Sequence, residues 1–454
     1  MKKLKWYNKV IIVCLIIVGM CLIYIQFKNE KLIQLILLII SIDSISQNYT
    51  SYFTGNNNDV YRETNGGVCL MGGATEDDNA MIWFLERSNG GDILVLRTSG
   101  SDGYNNYLFS ELGVNVNSVE TIVLNNSSAA DESYIHNKVL NAEAIWFAGG
   151  DQWNYINYFR GSQLNTLINQ AISERNIVVG GTSAGMAIMG EYYFTAQNGT
   201  VTSSEALSNP YNGSVNVDNL PFLEVDYLSN VITDQHYDDP ERKGRHVVFI
   251  SRILTDYGAP AFGIACDEYT AVCIDQNGNA RAFGEFPNYD DNAYFLQVNC
   301  EISNNYPEIS SPNMPLEWNA DNQAIKVYNI KGTVNGENSF DLNSWNTGTG
   351  GEWQEWYVLN GQLYENSSNE IECNPMSSDG LQNFEIKLHP NPTSNYIYTN
   401  NNFRLEAEVF DIVGKLVMKE DFITKLDVSF LEKGTYILNL TDGINTTSHK
   451  IIKE

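Results

Sequence analysis

Basic residues are scarce in this chain: 27 Lys and Arg stand against 55 Asp and Glu, a formal net charge of −28 over 454 residues. That balance excludes a binder of nucleic acid or of anionic membrane, whose phosphates it would repel. Cysteine is sparse too, at seven. Cys14 and Cys21 fall in an apolar leader, which leaves Cys69, Cys266, Cys273, Cys300 and Cys373. The remainder is odd in number and holds no Cys-x-x-Cys pair. No zinc site is indicated, at most two disulfides can form, and buried free thiols are expected. Histidine is limited to five: His136, His236, His246, His389 and His449. A chemistry that needs an imidazole has few candidates here. No His-Gly-Gly-Gly segment occurs, which removes the oxyanion loop of lipases and esterases.

What is present is globular: 43% hydrophobic and 12% aromatic residues, enough for a real core in two or three units. Residues 1–46 read as a leader. Val10–Ile25 is an apolar run behind Lys2, Lys3, Lys5 and Lys9, shorter than the ~20 residues of a usual membrane span. It reads as a membrane anchor or as an over-long start to the reading frame. Leu32–Ile42 follows Lys28 and Lys31 and ends in Ser44-Ile45-Ser46-Gln47, the pattern of a secretory signal cleaved after Ser46. Removing 1–46 takes away six lysines, Glu30 and Asp43, and moves the net charge from −28 to −32.

Short apolar strands are expected at Val68–Met71, Ile93–Arg97, Thr121–Leu124, Ala144–Phe147 and Ile177–Val179. Leu164, Leu167, Ile168, Ala171 and Ile172 make one apolar helix face between the last two. Strands alternating with such helices imply an α/β domain, a doubly wound, mostly parallel sheet with helices on both faces, over 47–284. Function in such a sheet collects in loops beyond the carboxyl ends of the strands, where Gly72-Gly73, Gly149-Gly150 and Ser183 fall. Further strands are expected at Val231–Thr233, Phe262–Cys266 and Ala271–Ile274. Residues 285–362, rich in Asn, Tyr and Trp, read as a β-rich extension of the catalytic domain, and 363–383 as a linker. Alternating strands over 384–454 predict a small, separate β-sandwich.

Gly181-Thr182-Ser183-Ala184-Gly185 has the spacing of a nucleophile elbow, where a Cβ at either glycine would clash. A serine nucleophile needs a base, and the base needs a group to orient it. His236 ends an expected strand in Val231-Ile232-Thr233-Asp234-Gln235-His236, which favours it over His136, a solvated helix residue, and His246, near a helix start. A metal reading through His236, Asp238 and Asp239 lacks a second histidine at ligand spacing. Glu268, after the strand Gly263–Cys266, is the expected orienting acid, with Asp267 its rival on the opposite side of the chain. The order Ser, His, Glu departs from the Ser, acid, His order of α/β-hydrolases.

The motifs Gly149-Gly150-Asp151-Gln152, Gly181–Gly185, Asp234-Gln235-His236-Tyr237 and Asp267-Glu268-Tyr269-Thr270-Ala271 together resemble those of the serine-peptidase family of cyanophycinase and aspartyl dipeptidase. The resemblance covers about Gly66–Phe283. It implies a fold like class I glutamine amidotransferases, with serine in place of cysteine at the elbow. It makes Ser183 the nucleophile, His236 the base and Glu268 its partner. The Gly150 and Ala184 N–H groups would form the oxyanion hole, and Gln152, Asp234, Gln235, Arg242 and Arg245 would line the substrate pocket. One position departs: the family's further arginine, four residues after the histidine, is Pro240 here, among Asp238, Asp239 and Glu241. That loses a clamp for a substrate carboxylate and adds charge of the opposite sign. Residues 384–454 resemble the type IX (Por) secretion sorting domain through His389-Pro390-Asn391-Pro392, Val413-Gly414-Lys415, Gly434-Thr435-Tyr436 and the tail Lys450–Glu454.

These readings together predict a secreted or surface-held serine hydrolase that cuts aspartyl or isoaspartyl peptide bonds, such as those of a cyanophycin-like polymer. It would need no metal or organic cofactor. Its partners would be the peptide substrate and the type IX machinery. The alternatives are a general small-peptide or ester hydrolase on the same scaffold, or a catalytically silent surface-binding protein working through 285–362. Oligomeric state is not legible, with a homodimer among the options.

Overall fold

The computed structural model describes residues 47–372, 388–399, 405–411, 415–422, 425–441 and 446–453. The expectations for the leader, 1–46, and for 373–383 of the linker lie outside these.

The strands before the elbow are β1 (Tyr49–Gly55), β2 (Val68–Met71), β3 (Asp92–Arg97), β4 (Ser118–Leu124), β5 (Ala144–Phe147) and β6 (Val178–Thr182). A short pair follows, β7 (Tyr193–Phe194) and β8 (Val217–Asp218), and then β9 (Val231–Asp234), β10 (Phe262–Cys266), β11 (Ala271–Ile274) and β12 (Asn279–Phe286). The β-rich part supplies β13 (Asn292–Val298), β14 (Ile325–Lys331), β15 (Asn338–Asp341), β16 (Gly348–Thr349), β17 (Gly351–Leu359) and β18 (Gln362–Ser367). Six helices matter to the site: α1 (Asp78–Arg87), α2 (Ser133–Asn141), α3 (Gln152–Phe159), α4 (Gln163–Arg175), α5 (Ala184–Ala187) and α6 (Lys243–Arg252).

The first sheet has ten strands in the order β1-β4-β3-β5-β6-β2-β11-β12-β15-β16. Its central strands are buried on both faces, so alternate residues enter different cores. Val68 and Leu70 of β2 join Leu164 and Ile168 of α4 on one face. Cys69 and Met71 join Phe84 and Leu85 of α1 on the other. Strands covered on both sides read as unbroken apolar runs, as these do.

The sheet is mixed, which corrects the expectation of a mostly parallel one. Only β4-β3-β5-β6-β2 run parallel. β1 is antiparallel to β4, and β2, β11, β12, β15 and β16 pair antiparallel in turn. The physical reason is local: β11 and β12 are joined by the turn Asp275–Gly278, with Gly278 at φ +78°, and so short a connection permits only antiparallel pairing.

A second sheet has six strands in the order β18-β17-β14-β13-β10-β9. It takes β9 and β10, parallel to each other, out of the first sheet and pairs β10 with β13 of the β-rich part. Residues 363–367, read from sequence as linker, belong to its edge strand β18, paired with β17. Tryptophans account for part of the aromatic richness of 285–362: Trp345 and Trp353 enter a core shared by the two sheets, and Trp318 and Trp356 the core on the other face of the second sheet. Cys69, Cys266 and Cys273 are buried free thiols, whereas Cys300 is disulfide-bonded, so the expectation of free thiols holds only in part.

In the C-terminal part, β19 (Leu388–His389), β20 (Tyr396–Thr399) and β23 (Lys425–Asp427) form one sheet. β21 (Leu405–Asp411), β22 (Leu416–Phe422), β24 (Gly434–Thr441) and β25 (Thr446–Lys453) form another. Ile397, Val409, Leu426, Leu438 and Ile451 from both sheets share one core, the arrangement of a small β-sandwich.

Candidate active site

The carboxyl ends of β6 in the first sheet and of β9 and β10 in the second converge on one place. β6 ends at Thr182, and the chain turns through Ser183 at φ 52° and ψ −114° into α5. A left-handed φ is costly for a residue with a Cβ and persists where the surroundings enforce it. Here the Ser183 N–H donates to Met71 O at 3.0 Å, and the Ala187 N–H to Ser183 O at 2.9 Å. The two elbow glycines are needed for different reasons. A Cβ on Gly181 would lie 2.6 Å from the Gly185 carbonyl carbon, and one on Gly185 would lie 2.0 Å from Phe147 O.

His236 follows β9 and also has a left-handed φ, 48°. Its N–H donates to Gly72 O at 2.8 Å, which fixes the ring over the loop after β2. Gly73 has no room for a side chain, since a Cβ there would lie 2.5 Å from His236 Nε2. The imidazole reaches in two directions: Nε2 is 2.8 Å from Ser183 Oγ, and Nδ1 is 2.5 Å from Glu268 Oε1. Both ring nitrogens are thereby engaged, which leaves none for the metal reading with Asp238 and Asp239. Among the described residues no group of three His, Cys, Asp or Glu could hold a metal ion. Asp238 instead accepts the Glu268 N–H at 2.8 Å and steadies the acid loop.

The sequence left two acids open, and the structure separates them. Glu268 meets the imidazole, while Asp267 turns inward and accepts from Asn292 N and Nδ2 at 3.1 and 2.9 Å. Burial pushes the Asp267 carboxyl up to about 7; the Asn292 bonds oppose the rise and the Asp238 charge adds to it. Folded Asp267 thus holds its proton more tightly than the unfolded chain does. Its contribution to stability is full below about pH 4 and is lost as pH rises through about 7. Asp267→Asn is expected to flatten that loss in melting temperature measured against pH. A wild-type profile in the variant would contradict this.

The other imidazoles lie apart. His246 of α6 is fully buried, with Nδ1 3.1 Å from the Tyr237 hydroxyl and Nε2 3.2 Å from Ile232 O. Burial pushes it down to about 4, so it is a neutral packing residue at ordinary pH. His136 of α2 has Nε2 2.8 Å from Ala130 O.

Of the expected oxyanion residues, Ala184 opens α5, and the Gly149-Gly150 strip runs behind the serine: a Cβ on Gly149 would be 3.5 Å from Ser183 Cβ. The expected pocket residues divide into two groups. Asp234 and Arg245 are each 1% exposed and face each other in a bidentate ion pair, with Nε donating to Oδ2 at 2.8 Å and the second bond shorter still. They hold the floor of the site and offer little surface to a ligand. Gln152 is also buried and donates to Phe194 O at 3.0 Å. Gln235 and Arg242 retain unspent polar atoms: Gln235 Oε1 and Arg242 Nε are buried without a partner, although Arg242 also donates to Gln235 O at 3.0 Å. Burial, helped by the neighbouring Arg245 charge, lowers Arg242 to about 10. Sequence reasoning missed the structural roles of Gly73 and Asp238. A glycine pair straight after a strand was the available signal for the first; nothing local marked the second.

Two segments of the chain are similar to known families. The family described as Peptidase family S51 matches residues 103–279, and that described as Secretion system C-terminal sorting domain matches 387–454. Cyanophycinase of Trichormus variabilis is 22% identical over 178 residues, covering 39% of this chain and 54% of that protein. Cyanophycinase of Synechococcus elongatus is 22% identical over 177 residues, covering 39% and 49%. The chain thus spans about half the length of the curated relatives it matches. A solved peptidase from an acI-B1 Actinobacterium is 15% identical, with a TM-score of 0.37, covering 49% of this chain and 89% of that one. The chain is therefore similar to peptidase family S51 in the segment that holds Ser183, His236 and Glu268, and to a secretion-system C-terminal sorting domain at its end.

Proposed function

We propose that the protein is an exported serine-type peptidase that cleaves aspartyl or isoaspartyl peptide bonds through an acyl-enzyme. The observation that carries the reading is the unbroken chain from Ser183 Oγ through His236 to Glu268, at 2.8 and 2.5 Å. His236 Nε2 takes the hydroxyl proton as Oγ adds to the scissile carbonyl. The Gly150 and Ala184 N–H groups receive the oxyanion, a contribution of about 10²–10³ in rate for one such donor. The imidazolium then gives its proton to the leaving amine, and the acyl-enzyme remains. Water, deprotonated by His236, releases the acid and restores the serine. Glu268 holds the ring in the tautomer with a proton on Nδ1 and steadies its charged form.

The wound arrangement of class I glutamine amidotransferases is part of this proposal, as are a peptide or cyanophycin-like substrate and export by the type IX machinery. Similarity of 387–454 to a sorting domain supports secretion or surface attachment. No helix among the described residues is long and apolar enough to cross a membrane. Pro240 and its acidic neighbours favour an amine-side group more basic than the family pattern suits. Release of β-Asp-Arg from cyanophycin, measured beside hydrolysis of isoaspartyl dipeptides, tests the substrate; failure on every one of them retires it.

The acid is tested separately. Glu268→Gln is expected to lower kcat by about 10³–10⁴, as when the orienting acid of a serine triad is made an amide. Asp267→Asn is expected to leave kcat nearly unchanged. The reverse pattern would assign the role to Asp267.

A further inference from the structure

The loop after β3 forms a wall of the site that neither the sequence motifs nor the triad uses. The carboxyl ends of β3 and β5 are neighbours: the Ala148 N–H donates to Leu96 O at 3.1 Å, and the Tyr155 hydroxyl lies 3.0 Å from Leu96 O and 2.7 Å from Ala148 O. This register sets Thr98-Ser99 beside Gly149-Gly150. A Cβ on Gly150 would lie 3.4 Å from Ser99 Oγ and 4.0 Å from Thr98 Oγ1. Two hydroxyls thus face Gly150, whose chain neighbour Gly149 stands against the serine.

Thr98 Oγ1 is buried and has no hydrogen-bond partner, a condition that is unfavourable unless a ligand or solvent meets it. The same loop carries a cation. Arg97 folds under it, donating from Nε to Ser99 O and from a terminal nitrogen to Ser101 O at 2.9 Å. Its guanidinium stacks 5.8 Å from the Tyr104 ring centre. Among the described residues no carboxylate lies within ion-pair distance of Arg97; Glu76 accepts from the Tyr104 hydroxyl and keeps its charge. Asp151, beside Gly150, is committed to capping α3 through the Trp153 N–H. The wall therefore offers two hydroxyl donors and a guanidinium that is in no close ion pair, groups that can meet an anion.

We propose that the Thr98 hydroxyl, backed by Ser99 and by the Arg97 charge, binds a carboxylate on the acyl half of the substrate. The proposal rests on Ser183 being the nucleophile and Gly150 lying at the oxyanion. Thr98 is then a specificity residue for the acyl group, placed across the Gly149-Gly150 strip from the reacting serine.

The test uses fluorogenic coumarin amides of succinic and butyric acid, which match in length and differ in a carboxylate against a methyl. Wild type is expected to favour the succinyl amide in kcat/KM by about tenfold or more. Thr98→Val, nearly isosteric, is expected to lower that value about tenfold, chiefly through KM, with no such loss on the butyryl amide. Thr98→Ser is expected to keep the preference. Fluorophosphonate labelling of Ser183, whose probe carries no carboxylate, is expected to be equal in all three proteins. Equal losses on both amides, no loss on the succinyl amide, or a labelled wild type that cleaves neither would each overturn the role of Thr98. A folded wild type that takes no label overturns the nucleophile itself, and the proposal with it.

Discussion

His236→Ala is expected to lower kcat by about 10⁴–10⁶, and the double variant Ser183→Ala/His236→Ala to be scarcely slower than either single one. In the proposed mechanism the two groups perform one step. Without the imidazole at 2.8 Å, the Ser183 proton has no acceptor, and the hydroxyl is a weak nucleophile at neutral pH. Without the hydroxyl, the imidazole has nothing to activate except water. Residual turnover in either case comes from binding and the oxyanion donors, which neither change touches. Single-turnover rates on a substrate that wild type cleaves would measure the losses. Multiplicative losses would mean that Ser183 and His236 act in separate steps.

Arg245→Met is expected to destabilise the fold by about 3–5 kcal/mol at neutral pH, the usual result of removing one partner of a buried pair. Burial alone would push the Asp234 carboxyl up, but the Arg245 charge and bonds outweigh it and hold the carboxyl below its ordinary value. The pair's contribution is therefore present above about pH 4 and is lost as pH falls through the lowered value. In Arg245→Met the carboxylate stays buried without its cation. Damage should be largest at neutral pH and shrink toward acid, where Asp234 can take a proton. Asp234→Asn/Arg245→Met should recover much of the loss, since no lone charge is left. Urea melts at pH 7 and pH 4 decide it: equal losses at both would mean that arginine packing, not charge, supplies the stability. Because Gln235 and His236 follow Asp234 directly, the single variant should also loosen the His236 imidazole.

The elbow was legible because its constraint is local. Glycines at 181 and 185 each avoid a specific backbone collision, and a spacing of that kind is visible in the sequence. His236 and Glu268 were legible as polar residues ending apolar runs. The sheet partners of those runs were not. Val231–Asp234 and Phe262–Cys266 look like the strands of the first sheet, since a short buried run carries no mark of its neighbour, and they pair instead in the second. Burial of charge was equally hidden: nothing in the spacing of Asp234 and Arg245 says that they meet each other and not a substrate. Thr98 gave no sequence signal, because its position depends on β3 lying beside β5, a pairing made at long range.

Labelling with a fluorophosphonate tests the central claim most directly. Folded wild-type protein should form a covalent adduct at Ser183, and Ser183→Ala, with an unchanged melting profile, should form none. A folded wild type that takes no label, or a Ser183→Ala variant labelled as fully as wild type, would contradict the account.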